Sequence, residues 1–201
     1  MSPRSLEQNK ELRAAARARL LDAALHVFAS HGYSATPVDA IAAEAGVSVG
    51  LLYYHFANKR ALLQALVAQS LADVGTTFAA ADREINSADR LAVLLRSVAD
   101  IMPRHRRFWS VFYGIRMQPG VLADLGPVVQ ESAAAIVESL ERYLRDLQWP
   151  DPAIEARLLF AQIDGMCQHY VLDPQHYPLD RLVERLIARY SKGGRNGVTV
   201  S

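Results

Sequence analysis

The seven residues Val49-Gly50-Leu51-Leu52-Tyr53-Tyr54-His55 carry the most distinctive chemistry in this chain. At helical spacing Leu52 groups with Val47 and Phe56 as apolar positions that can pack inward. Val49, Gly50, Tyr53 and Tyr54 fall elsewhere and can face outward. A helix that is merely solvated carries Glu, Lys and Gln on its outer side; this one offers a glycine, a valine and two phenols. That composition suits a helix pressed into a groove. Gly50 lets the backbone approach closely, and tyrosine hydroxyls can donate to phosphate oxygens. His55 follows, and Lys59 stands in the first turn of the next helix. There an ammonium and free backbone N–H groups can both meet a phosphate. The chemistry implied is non-covalent recognition, with no bond made or broken.

The elements around this segment must hold it out. A first helix is expected over about Lys10–His31, with Leu20, Ala24, Val27 and Phe28 on one stripe and Gly32 ending it. Thr36 is a good N-cap and Pro37 suits the first position of a short second helix through Val38, Ile41, Ala42 and Ala45. Gly46 ends that helix, and Ser48 caps the next. Only Gly46-Val47-Ser48 separates the two, so they must cross steeply, which is the helix-turn-helix layout. Asn58 caps a long helix from Lys59 to about Ala80. Beyond it, five more helices are expected over about 88–103, 107–117, 127–147, 152–172 and 179–190. Pro119-Gly120, Gly126-Pro127, Trp149-Pro150-Asp151-Pro152, Asp173-Pro174 and Tyr177-Pro178 separate them. The fold class expected is all-α, with about nine helices. Residues 1–58 form an arm and DNA-binding unit and 59–191 a helical effector-binding and dimerisation domain, with 59–80 connecting them. Residues 192–201, with three glycines, form a flexible tail.

The run from Leu20 to Leu66 reads LLDAALHVFASHGYSATPVDAIAAEAGVSVGLLYYHFANKRALLQAL. It resembles the N-terminal domain of TetR-type regulators. The first helix ends in Phe-x-x-x-Gly-Tyr, the second starts at a threonine, and Ala-Gly-Val-Ser, Leu-Tyr-Tyr-His-Phe and Asn-Lys follow. The resemblance implies a DNA-binding transcriptional regulator, typically a repressor released by a small molecule. It implies that Thr36, Tyr53, Tyr54, His55 and Lys59 touch phosphates or the groove wall, and that Ser48, Val49, Gly50 and Tyr53 approach bases. The chain departs from the pattern at Val49 and Leu51, which are apolar where polar or basic side chains are common, and at Arg60, which replaces an acid. Val49 and Leu51 can make only apolar contact, for instance with thymine methyls. Phosphate contacts and DNA shape must then carry much of the affinity. Tyr53 can also be half core, and His55 can instead hydrogen-bond the following turn.

In the C-terminal part, Leu179, Leu182, Val183, Leu186, Ile187 and Tyr190 form one wide apolar stripe. The preceding helix is apolar on two faces, one with Leu159, Ile163, Met166 and Tyr170, the other with Ile154, Leu158, Ala161 and Gly165. Two such faces need two partners. One is the internal core; the other is expected to be the same helix pair of a second subunit, with Gly165 allowing close approach. Leu158, Gly165, Leu179, Leu182, Val183, Leu186, Ile187 and Tyr190 are the candidate dimer residues. A dimer also suits the task, since two related helices read a palindrome with half-sites about one helical turn apart. The stretch from Met102 to Met117 concentrates aromatic, methionine and arginine residues. It is either ordinary core or the wall of a small-molecule pocket. The pocket reading takes Met102, Trp109, Phe112, Tyr113, Met117, Gln162, Met166 and His169.

Composition narrows the alternatives. The net charge is +1, so no nucleic-acid partner is evident from the whole chain. Up to Arg60, seven Lys and Arg stand against five Asp and Glu, a mild bias placed at the two ends of the segment. The single cysteine, Cys167, precludes an intramolecular disulfide. No apolar run approaches the ~18 residues of a membrane span, and the N-terminus is not a signal peptide, so a cytoplasmic protein is expected. There is no nucleophile elbow, no glycine-rich phosphate loop and no His/Cys metal spacing. Neither an enzyme, a cofactor nor a metal is expected. The remaining rival keeps the fold but has a fully packed C-terminal core and no effector.

Overall fold

The computed structural model describes residues 6–81, 83, 86–116, 118 and 121–191. Among these there are nine helices and no strand: α1 Leu6–His31, α2 Val38–Glu44, α3 Val49–His55, α4 Lys59–Ala81, α5 Ser87–Arg104, α6 Arg106–Ile115, α7 Val121–Asp146, α8 Pro152–Leu172 and α9 Leu179–Tyr190. The expected tail, 192–201, lies outside the described residues. The chain forms two compact units. Of the described residues, the first holds those up to Gln69 together with those within Ser110–Leu125; the second holds those within Ser70–Trp109 and those from Gly126 to Ser191.

In the first unit the apolar stripe of α1 is buried as the periodicity requires, with Leu20, Ala24, Val27 and Phe28 all inaccessible. Gly32 ends α1 at φ +80°, its N–H bonded to the Phe28 carbonyl. Gly46, at φ +64°, ends α2 in a Schellman arrangement. Its N–H bonds the Ala43 carbonyl and the Val47 N–H bonds the Ala42 carbonyl. A left-handed residue here costs glycine little, and it turns the chain within three residues into α3. Ser48 then caps α3 by accepting the Leu51 N–H at 3.2 Å. Asn58 does the same for α4, accepting the Ala61 N–H at 2.8 Å.

One cap differs from expectation. Pro37, not Thr36, occupies the N-cap position of α2, with no side-chain cap bond. Thr36 is 1% exposed, and its hydroxyl donates instead to the Gly32 carbonyl at 2.7 Å.

In the second unit α9 packs chiefly on α5; Leu179, Val183, Ile187 and Tyr190 of α9 are buried, as are Leu91 and Leu95 of α5. An exposed ion pair between Arg96 Nε and Glu184 Oε1 at 2.8 Å joins the two helices at the surface. The Trp149 indole donates to the Tyr190 carbonyl at 3.1 Å, closing the end of α9. Asp151 caps α8 and Pro152 opens it, as their types suggest.

Helix α7 begins at Val121, so Gly126-Pro127 is not a turn but lies within it. Proline already carries a helical φ and forfeits one bond to the carbonyl four residues back. Val121 and Leu125 are buried before the Gly-Pro step, and Val128, three residues past Leu125, is half-buried beyond it.

Candidate nucleic-acid interface

Helix α3 is only seven residues long, and its sides differ sharply. Leu52 and the following Phe56 are buried and anchor it to the first unit's core. Its outer surface holds Val49 at 40% exposure, Tyr53 at 51% and Tyr54 at 62%, with Gly50 and Ser48 also exposed. Leu51 is half-buried. Nothing but the Ser48 hydroxyl lies within 4 Å of a Cβ placed on Gly50, so the backbone there is open to close approach. This is the surface that the spacing of the residues predicts.

Helix α1 adds two charges that sequence reasoning missed. The Arg13 guanidinium lies over the Tyr54 ring, 5.7 Å from its centroid, and that of Arg17 lies 5.3 Å from the centroid of Phe56. Both arginines are exposed. One helical turn apart, they form a basic edge beside α3. Their i, i+4 spacing is visible in the sequence, but the packing of this part of α1 against the end of α3 is not.

Two residues expected at a phosphate turn inward instead. Thr36 is buried, as described above. The Lys59 ammonium donates to the carbonyls of Tyr33 at 2.9 Å, Ser34 at 3.2 Å and Thr36 at 2.9 Å, and lies 4.8 Å from the Tyr33 ring centroid. The carbonyls of the chain between α1 and α2 have no helical partners, and these two side chains supply them. His55 is half-buried, and its Nε2 is buried with no hydrogen-bond partner. It does not bond the following turn. Burial, then the charges of Arg17 and Arg13, hold its pKa below the usual 6.5, so the imidazole is neutral near pH 7.

The candidate pocket residues divide between the two units. Met102, Trp109 and Met166, in the second, are buried. Gln162 is half-buried, with its Oε1 buried and lacking a hydrogen-bond partner. His169 is at the surface, its ring stacked on Tyr177 at 5.9 Å. Phe112, buried, and Tyr113, half-buried, belong to the first unit and meet edge to face at 5.6 Å. Met117 lies outside the described residues.

The candidate dimer residues also separate. Leu179, Val183, Ile187 and Tyr190 are core of the protomer itself, because α5 covers that side of α9. They are not available to a second subunit. Leu182 and Leu186 are half-buried, Leu158 is 48% exposed, and Gly165 has open space where a Cβ would stand. Two further apolar residues of α8 are exposed: Ile154 at 52% and Leu172 at 72%.

Comparison with known proteins matches the two parts of the chain separately. Residues 20–66 match the family described as "Bacterial regulatory proteins, tetR family", and residues 86–192 match "Tetracyclin repressor-like, C-terminal domain". The chain belongs to the TetR family. As a TetR-family protein it is a DNA-binding transcriptional regulator, and its relatives are regulators rather than enzymes. It is 26% identical over 198 residues to the HTH-type transcriptional regulator TtgR of Pseudomonas putida, spanning 90% of this chain and 92% of that protein. Among solved structures, the SmeT–triclosan complex is 26% identical with a TM-score of 0.73, covering 87% of this chain and 90% of that one. FadR from Bacillus subtilis, solved with stearoyl-CoA, shares the fold at a TM-score of 0.73 and 18% identity, covering 88% of this chain and 98% of that one. The TetR match at 20–66 takes in the end of α1, the whole of α2 and α3, and the start of α4. Among the described residues no helix is long and apolar enough to cross a membrane.

Proposed function

We propose that this regulator is a homodimeric repressor that binds a palindromic operator and is released by a small, largely apolar molecule. The observation that carries the reading is the outer face of α3. A seven-residue helix anchored by Leu52 and Phe56 exposes Val49, Gly50, Tyr53 and Tyr54 with Arg13 beside them. That face has a close-approach point, an apolar side chain for a thymine methyl, phenolic donors for phosphates and a flanking cation. The DNA contacts assigned are Ser48, Val49, Gly50, Leu51, Tyr53 and Tyr54, together with Arg13. Thr36 and Lys59 are left out because their polar groups bond inward, and His55 because its Nε2 is buried.

Dimerisation is assigned to α8. Its exposed or half-exposed residues Ile154, Leu158, Ala161, Gly165 and Leu172 recur at steps of four, three, four and seven. That spacing makes one continuous seam along a helix. To read a palindrome, the two α3 helices of such a dimer must reach successive major grooves about 34–36 Å apart. Effector binding is assigned to the part of the chain after residue 58. Met102, Trp109 and Met166 would supply apolar wall and Gln162 a polar anchor, as such sites require. SmeT was solved with triclosan and FadR with stearoyl-CoA, which joins a long acyl chain to the charged coenzyme A group, so ligands with a large apolar part are held on this fold.

The test is fluorescence anisotropy with DNA from immediately upstream of the protein's own gene and a random duplex, each across a salt series. Tight binding to the first, two subunits per site, and release by an apolar compound are expected. Equal, steeply salt-dependent binding to both duplexes, unmoved by any compound, would favour an architectural DNA-binding role.

A further inference from the structure

Chain geometry around Lys59 closes a ring. From Tyr33 the backbone runs through Thr36 into α2, turns at Gly46, continues through α3 and Phe56, and reaches Lys59 at the start of α4. The Lys59 ammonium then returns to the carbonyls of Tyr33, Ser34 and Thr36, at 2.9, 3.2 and 2.9 Å. A primary ammonium has three N–H donors, and three carbonyls meet them, so none remains for a phosphate in this geometry. The Tyr33 ring adds a π contact to the ammonium at 4.8 Å. The Thr36 hydroxyl, bonded to the Gly32 carbonyl at 2.7 Å, braces the same connection from within. Both helices of the helix-turn-helix lie inside the loop so closed.

We infer that Lys59 is a positioning residue for DNA reading: it fixes the segment carrying α2 and α3 and so sets the angle at which α3 is presented. This rests on the assignment of α3 as the recognition helix. The chemistry demands a lysine. A planar guanidinium fork cannot converge on three carbonyls that surround one nitrogen. Arginine keeps the charge but loses the ring closure. An uncharged side chain loses both.

The experiment uses the full chain and a duplex enriched from a random pool by the wild-type protein, beside an unrelated duplex of equal length. Lys59→Met and Lys59→Arg are each expected to weaken the selected duplex about ten-fold, roughly one lost base contact. Binding to the unrelated duplex and the salt slope are expected to stay at wild-type values. A general loss of fold would not separate the two duplexes in this way. Recovery by Lys59→Arg, with Lys59→Met weakening both duplexes and lowering the salt slope by about 0.9, would make Lys59 a phosphate contact and overturn the inference. So would wild-type binding by Lys59→Met. A second readout needs no variant. The chain has three lysines, Lys10, Lys59 and Lys192, so the 15N-labelled ammonium groups give few signals. Slow proton exchange at Lys59 alone is expected in the DNA-free protein; exchange as fast as at Lys10 means the ring is open and the inference fails. If no duplex is enriched, the recognition assignment fails, while the exchange measurement still reports on the ring.

Discussion

The Arg13 guanidinium is held over the ring of Tyr54, 5.7 Å from its centroid, so a cation from α1 stands beside an exposed phenol of α3. The aromatic face limits where the long side chain can go without removing its charge from solvent. Arg13→Ala should therefore weaken binding to all duplexes alike and lower the salt slope by about 0.9, as loss of one phosphate contact does. Tyr54→Leu should retain the slope but bind a few-fold more weakly, because a phenolic donor is lost and the cation persists without its guide. An unchanged slope in Arg13→Ala would place that arginine outside the interface.

Val49 is the one exposed branched apolar residue on the outer face of α3, and it has no hydrogen bond to offer a base. Its contribution to specificity must come from shape and methyl contact. Val49→Ala should leave the salt slope at the wild-type value and relax preference at one base pair in each half-site. Repeating the duplex selection with the variant measures this. An unaltered preferred sequence would mean that Val49 meets no base.

The outer face of α3 was legible because period, cap and glycine agree locally: Ser48, Gly50 and Leu52 each do what their type and place suggest. The identities of Thr36 and Lys59 suggested phosphates. The sequence records a hydroxyl and a charge, but not that the connection between α1 and α2 folds its carbonyls back beside them. Arg13 and Arg17 were visible as charges only, since their role depends on α1 lying against α3. The stripe on α9 was correctly apolar, yet periodicity cannot say whether a buried face meets α5 or a second subunit. Pro127 reads as a break, and only the structure shows α7 running from Val121 through it.

His55 makes the first unit sensitive to acid. Above its ordinary value of 6.5 both folded and unfolded chains hold a neutral ring, and the residue adds no pH dependence. Below that value the unfolded chain takes up a proton that burial, Arg17 and Arg13 resist in the folded state. Stability is therefore lost as pH falls from 6.5 towards the lower folded pKa. Melting temperatures measured from about pH 8 to about pH 5 should drop more steeply for wild type than for His55→Phe, where the proton-binding site is gone. Parallel curves would mean that the imidazole is freely protonated in the fold.

Leu158 and Leu179 are both leucines on the last two helices, but the first is 48% exposed and the second 4%. If α8 carries the dimer seam, Leu158→Arg introduces a charge between two copies while touching little in its own protomer. It should halve the mass seen by sedimentation, and operator affinity should collapse because a lone α3 reads too few bases. Leu179→Ala instead leaves a cavity in the packing between α9 and α5. It should cost about 2–5 kcal/mol of folding stability and leave the mass of the folded species unchanged. The two outcomes separate an interface from a core on the same pair of helices. A Leu158→Arg protein that sediments and binds as wild type would remove α8 as the seam.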